Sequence, residues 1–277
     1  MSEDERLVAA RTAAREGGAV AGRAFRTGLD VEYKTGKTDT VTVADREAQR
    51  RVLAVLAEHF PEEPVVGEEE DAPKAVPESG PAWIVDPIDG TNNFVREIPV
   101  WGTAVARVED GEPVLGVTEL PALDDEFVAG PSTGDATSGM TRNGEPVTVS
   151  DRDDPESCHV SVLMWWAMDD RAEYAAVLRA AVERFGDVRR LGSAQATLAT
   201  VAAGGLDGGF TTVVPPAWDT VAGVHMIRRA GGRATDVHGE RWAPGADGLV
   251  VSNGEIHDDL IAAARDALDP ADGAENR

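Results

Sequence analysis

The spacing of apolar residues changes at Pro64, and that change restricts the fold more than any other feature of the chain. Before it, Leu7, Val8, Ala10, Ala14, Val20, Ala21 and Phe25 recur among charges at helical intervals across residues 4–27. Thr42, followed three residues later by Asp45, has the form of a capping box. Val52, Leu53, Val55 and Leu56 then give a second helix its apolar face until Pro61 and Pro64 end it. Beyond Pro64 come short apolar runs parted by turn residues: VVG at 65–67, AWIVD at 82–86, TAVARV at 103–108, PVLGVTEL at 113–120 and EFVAG at 126–130. These are the strands of a sheet.

After the turn dipeptide Asn143-Gly144 the pattern changes again. Strand-like HVSVLM, DVRRL, DGGFTTV and GLVVSN alternate with helical patterns over 170–185, 193–204, 218–230 and 255–268, which suggests a layered α/β arrangement. With 277 residues, 42% of them hydrophobic, the chain can bury a sizeable core. We expect one domain over 1–277, made of a helix pair plus sheet over 1–150 and a smaller α/β half over 151–277.

A formal net charge of −24, with Lys34, Lys37 and Lys74 the only lysines, argues against nucleic-acid binding, because affinity for a phosphate backbone needs clustered positive charge. The same acidity suits a salt-rich environment, where screening relieves self-repulsion. No uncharged run approaches membrane-spanning length and the first residues lack a signal-peptide pattern, so the expected location is cytoplasmic. Cys158 has no cysteine partner, and the five histidines show no ligand spacing.

The segment WIVDPIDGTNNF, residues 83–94, carries most of the chemistry. A buried strand delivers Asp86 to its carboxyl end, Pro87 is expected to turn the chain sharply, and Asp89 converges with Asp86. With the Ile88 carbonyl freed from the ladder, three hard oxygen donors fall within four residues, as Mg2+ prefers. Gly90 allows close backbone approach, and a helix opening at Thr91 would place N–H groups beside the metal for an anion. Glu68, Glu69 and Glu70 follow another strand end, and Asp219 sits at the start of a helix. Taken singly, each segment also reads as a helix cap or a solvated charge run.

Together GEE, DPIDGTNNF and WDTVAG, in this order and at these separations, resemble the inositol monophosphatase family of Mg2+-dependent, Li+-sensitive phosphatases. KTGKTDTVTVAD upstream is similar to the family's lysine loop and its D-x-V-T-x-x-D segment. VRRLGSA at 188–194 is similar to its substrate loop, so the motifs run from about residue 34 to 232.

The resemblance implies a layered αβαβα sandwich, a homodimer, a small phosphorylated metabolite as substrate, and two to three Mg2+ ions per site. It assigns one ion to Glu68, Asp86 and the Ile88 carbonyl and a second to Asp86, Asp89 and Asp219, with Asp86 bridging. Thr91, with either Glu69 or Asp45, would activate water. Gly90 and Thr91 would bind phosphate through backbone N–H groups, Gly192, Ser193 and Ala194 would meet substrate hydroxyls, and Asp89 and Asp219 would border the substrate. Lys34 aligns with the loop lysine, and Arg189 and Arg190 are candidates for a second phosphate.

Thr212 departs from the animal pattern, which has an acidic residue there for ring hydroxyls. Inositol monophosphate and fructose 1,6-bisphosphate are the leading substrates. Histidinol phosphate and 3'-phosphoadenosine 5'-phosphate remain open, as does a catalytically silent metal-binding module.

Overall fold

The computed structural model describes residues 3–28, 31–33, 40–69, 72–131 and 139–269. The elements of the first half are α1 (Glu3–Ala24), β1 (Val31–Tyr33), β2 (Thr40–Thr42), α2 (Val43–His59), β3 (Val65–Gly67), β4 (Pro81–Asp89) and α3 (Thr91–Val95). Four further strands and a short hairpin partner follow: β5 (Gly102–Glu109), β6 (Glu112–Leu120), β7 (Asp125–Ala129), β8 (Met140–Arg142) and β9 (Glu145–Pro146). The second half holds β10 (His159–Val162), α4 (Arg171–Arg184), β11 (Asp187–Arg189), α5 (Ala194–Ala202), β12 (Gly208–Thr211), α6 (Val221–Arg229), β13 (Arg233–Thr235), β14 (Leu249–Ser252) and α7 (His257–Leu268).

Strands β3 to β9 form one sheet in sequential order. Every pair in it is antiparallel except β3 with β4. The second sheet has the order β11-β10-β12-β14-β13, parallel on the β11-β10-β12 side and antiparallel on the other. Helices α1 and α2 cover one face of the first sheet, α5 and α6 fill the space between the sheets, and α4 and α7 cover the far face of the second. This is the expected αβαβα sandwich.

Side-chain alternation along β4 shows how the sequence builds these layers. Trp83 and Val85 enter the core with Ala10, Ala14, Val52 and Leu56 of the first helix pair. Their neighbours Ala82 and Ile84 enter the core shared with Leu198, Val201, Val224 and Val251. A strand covered on both faces needs apolar residues at every position, so AWIV shows no polar alternation. At Gly116 of β6 a Cβ would lie 2.7 Å from the Ala222 carbonyl oxygen, so glycine lets α6 lie directly on the sheet.

The expected capping box starts α2: the backbone N–H of Thr42 donates to Asp45 Oδ2 at 2.7 Å, and the Thr42 hydroxyl accepts from Ala44 N at 3.1 Å. One local expectation needs correction. Pro87 does not turn the chain out of the sheet: β4 continues to Asp89, with its register against β5 shifting between Asp86 and Asp89. Proline lacks the N–H that a ladder requires, and the chain meets this with a bulge. The hairpin β8–β9 around Asn143-Gly144 and the strand β13 also lacked a periodic signal, being two or three residues long. Among the described residues no helix is long and apolar enough to cross a membrane.

Candidate active site

The bulge of β4 places Asp86 and Asp89 where the two sheets meet the start of α6. Carboxylate oxygens of Asp86, Asp89 and Asp219 lie within 4.8 Å of one another. All three line a cavity of about 480 Å³ together with Glu68, Ile88, Gly90, Thr91, Gly192, Ser193 and Ala194. Residues from four separate stretches of chain thus converge.

Asp86 is fully buried, and neither of its oxygens has a hydrogen-bond partner among the described residues. Burial, with Glu68, Asp89 and Asp219 beside it, pushes its pKa well above the usual carboxylate range. An unbonded buried carboxylate among other carboxylates is costly unless a proton or cation offsets it. With no described N–H or hydroxyl donor on either oxygen, the carboxylate suits a ligand shared between two ions.

Asp89 is held differently. It accepts hydrogen bonds from Ala194 N on Oδ1 (2.9 Å) and from Gln195 N on Oδ2 (2.8 Å), and Oδ2 also accepts from the Ser193 hydroxyl. The first turn of α5 therefore grips this carboxylate and leaves an acceptor direction on Oδ1 for a cation. Burial raises the Asp89 pKa to about 6 against the lowering effect of those hydrogen bonds. Ser193 and Ala194, expected to meet substrate hydroxyls, border the cavity with these polar groups turned to Asp89.

Asp219 lies in the turn that leads into α6, whose N-cap is Thr220. Gln195 ties this turn to α5: its Nε2 donates to the Trp218 carbonyl at 2.6 Å, and its Oε1 accepts from Gly223 N at 3.0 Å. Hard oxygen donors alone, with no sulfur or imidazole, fit Mg2+ better than zinc or copper. The residues present therefore fit the implied metal.

Thr91 opens α3 behind Gly90, which adopts φ 85°. The Thr91 hydroxyl lies 3.2 Å from Asp45 Oδ1 and 3.0 Å from the Ile88 carbonyl oxygen. Asp45 is fully buried, and burial raises its pKa to about 7 against the hydrogen bond from Thr42, with Glu68 and Glu69 adding to the rise. One turn further along α2, Gln49 Oε1 accepts from the Glu69 backbone N–H at 2.9 Å. The helix thus supplies Asp45 and steadies the Glu68–Glu69 turn from the same face.

Arg96, Arg171, Arg190, Trp165 and Tyr174 also line the cavity, and of these the sequence singles out Arg190 as a phosphate candidate. Trp166, buried behind, stacks on Tyr174 with ring centroids 4.8 Å apart, and the guanidinium groups of Arg171 and Arg190 lie 5.6 and 5.8 Å from the same tyrosine ring. Arg189 instead pairs with Asp187 at 2.6 Å and does not border the cavity. Lys34 lies outside the described residues. The Thr212 hydroxyl donates to Glu173 Oε1 at 2.5 Å, so an acidic group from α4 stands beside the position that lacks one.

Residues 2–269 match the model of the inositol monophosphatase family. The chain belongs to that family. This inositol monophosphatase family member is a phosphatase, and its relatives span several named activities. It is 35% identical over 245 residues to the fructose-1,6-bisphosphatase/inositol-1-monophosphatase of Thermotoga maritima, covering 88% of this chain and 90% of that protein. It is 33% identical over 263 residues to the histidinol-phosphatase of Mycobacterium tuberculosis, covering 94% and 98%. The solved structure of a Thermotoga maritima IMPase superposes with a TM-score of 0.85 at 32% identity, covering 96% of this chain and 99% of that one.

Proposed function

We propose that this phosphatase is Mg2+-dependent and hydrolyses small sugar or polyol phosphates, including one with a second phosphate such as fructose 1,6-bisphosphate. The observation that carries the metal reading is Asp86, buried with two unbonded oxygens among Glu68, Asp89 and Asp219. Glu68, Asp86 and the Ile88 carbonyl would hold one ion and Asp86, Asp89 and Asp219 another, with a third, weaker site at Glu68. When bound, Mg2+ neutralises phosphate charge, acidifies a water and stabilises the leaving oxygen.

The protein's own part is proton handling and positioning. With its proton directed at Asp45 Oδ1, the Thr91 hydroxyl turns its lone pairs toward the cavity, where they accept from the attacking water. Asp45, with a pKa of about 7, is suited to take the proton through that hydroxyl. We assign the base role to Asp45 over Glu69 because Asp45 is in hydrogen-bond contact with Thr91. Backbone N–H groups at Gly90 and Thr91, at the start of α3, are assigned to the phosphate oxygens.

The bisphosphate reading rests on Arg96, Arg171 and Arg190 lining the same cavity as the carboxylates. In a chain of net charge −24, three cations bordering one cavity favour an anionic group on the leaving portion of the substrate. Gly192 lines the same cavity at φ 81°, beside Asn93.

The test is phosphate release from inositol monophosphate, fructose 1,6-bisphosphate, histidinol phosphate and 3'-phosphoadenosine 5'-phosphate, with Mg2+, with EDTA, and with Li+ added. Hydrolysis of fructose 1,6-bisphosphate that stops with EDTA and falls with Li+ is expected. Full activity in EDTA would remove the metal assignment, and preference for histidinol phosphate would remove the bisphosphate one. Light scattering tests the homodimer implied by the resemblance.

A further inference from the structure

Three consecutive backbone carbonyls converge on one ammonium at the edge of the site. Lys74 Nζ donates to the carbonyl oxygens of Gly67 at 2.8 Å, Glu68 at 2.7 Å and Glu69 at 2.5 Å. Backbone hydrogen bonds tie the same carbonyl-bearing residues to those just before Lys74, with Gly67 N bonded to the Pro73 carbonyl at 3.1 Å and Ala72 N to the Glu69 carbonyl at 3.2 Å. The same ammonium lies 5.6 Å from the ring centroid of Trp218, the residue before Asp219. Lys74 thus touches both the turn that carries Glu68 and the turn that carries Asp219.

Carbonyl dipoles aimed at one point repel unless a positive charge sits among them. An ammonium brings one charge and three N–H donors, and the distances are those of charge-assisted hydrogen bonds. A ring of carbonyl oxygens around a compact monovalent cation is also how proteins replace the hydration shell of K+. Lys74 is exposed, so ions from solution have access to the same oxygens.

We propose that Lys74 is a tethered monovalent cation: its ammonium sets the Gly67–Glu69 turn in the shape that brings Glu68 to the Asp86 cluster, and free K+ or NH4+ takes over that role when the side chain is removed. The proposal rests on the metal-dependent phosphatase reading. Lys74 is in this sense a positioning residue, acting through Glu68.

The test compares wild type with Lys74→Ala in Mn2+ binding, read by electron paramagnetic resonance, and in Mg2+-dependent phosphate release. Ionic strength is held constant with tetramethylammonium chloride, then with KCl or NH4Cl in its place. In tetramethylammonium the variant is expected to bind Mn2+ about tenfold more weakly and to lose about tenfold in kcat/KM. K+ and NH4+ restore both toward wild type, and the wild type does not respond to the exchange.

Lys74→Gln keeps most of the stem over Trp218 and carries the same expectation, which covers the case of an unstable alanine variant. Unchanged Mn2+ affinity in tetramethylammonium overturns the proposal, and so does a loss that no monovalent cation restores. Wild type that binds Mn2+ yet releases no phosphate would defeat the phosphatase reading, while the Mn2+ comparison would still decide the role of Lys74.

Discussion

The hydroxyl of Thr91 stands 3.2 Å from Asp45 Oδ1, a contact between the first residue of α3 and the first turn of α2. It joins a cavity-lining hydroxyl to a carboxylate that solvent does not reach. The arrangement makes the hydroxyl the only part of the pair a water in the cavity would meet.

Thr91→Val keeps the shape and removes that route. Turnover is expected to fall by about a hundredfold to ten-thousandfold, the usual contribution of general acid–base catalysis. Mn2+ affinity and melting temperature should stay near wild type. A valine variant with normal kcat would show that Asp45 is present only as the cap of α2.

Asp86→Asn and Asp219→Asn should each lower kcat by orders of magnitude. In metal-free buffer, however, Asp86→Asn should melt no lower than wild type, because it removes a charge that is buried without a hydrogen-bond partner. Thermal melts in EDTA beside turnover in Mg2+ separate the two effects. Near-normal turnover in either variant would mean that the carboxylates do not hold the metal.

The stability of the metal-free protein should depend on pH in a definite direction. Asp45 and Asp89 have native pKa values of about 7 and about 6, above the ordinary 3.8, so the native state keeps protons that the unfolded chain releases. Stability is therefore lost as pH rises from about 4 to about 7. On the proposed Mg2+ reading, the ion needs the ionised native site and should raise the melting temperature more at about pH 8 than at about pH 5. Equal Mg2+ shifts at both would contradict this.

Acid works through different groups. His225 and His257 are buried with pKa values lowered from 6.5 to about 4 by desolvation; His225 Nε2 donates to the Gly130 carbonyl at 2.9 Å. A depressed histidine pKa means the unfolded chain takes up the proton first, so their contribution is lost as pH falls from 6.5 toward 4. His225→Gln should flatten part of that acid limb in chemical denaturation. An unaltered limb would place the acid sensitivity elsewhere.

Gly90→Ala meets two obstacles at once. The residue sits at φ 85°, and a Cβ there would lie 3.0 Å from Ser193 Cβ and 3.2 Å from the Gly192 carbonyl oxygen. Denaturant unfolding should show a loss of about 1–3 kcal/mol. Activity should fall with it, since the same displacement pushes Ser193 away from Asp89. A variant as stable as wild type would mean the α5 loop gives way without strain.

The acidic cluster was readable in the sequence because each of its carboxylates follows an apolar strand or opens a helix, where secondary structure fixes which way a side chain leaves the chain. Asp86, Asp89 and Asp219 needed only that, together with the family's order of motifs. The Pro87 bulge was misread as a turn, since a proline without a ladder partner ends a strand or kinks it and local sequence does not distinguish the two. Arg96, Arg171 and Tyr174 carried no signal: they reach the cavity from helices far apart in the chain, and a lone arginine looks the same in a pocket as on a surface. Glu173 beside Thr212 and Lys74 beneath three carbonyls were hidden for the same reason, being contacts that only tertiary packing creates.

Helix α5 holds Asp89 at its first turn while its body is wedged between the two sheets, against α6. The reactive centre is therefore anchored in the most interior layer of the molecule and has no separable unit of its own. Loosening that layer should extinguish turnover at the same temperature at which the whole protein melts, whereas diversification toward new leaving groups has free play only along the arginine-lined rim.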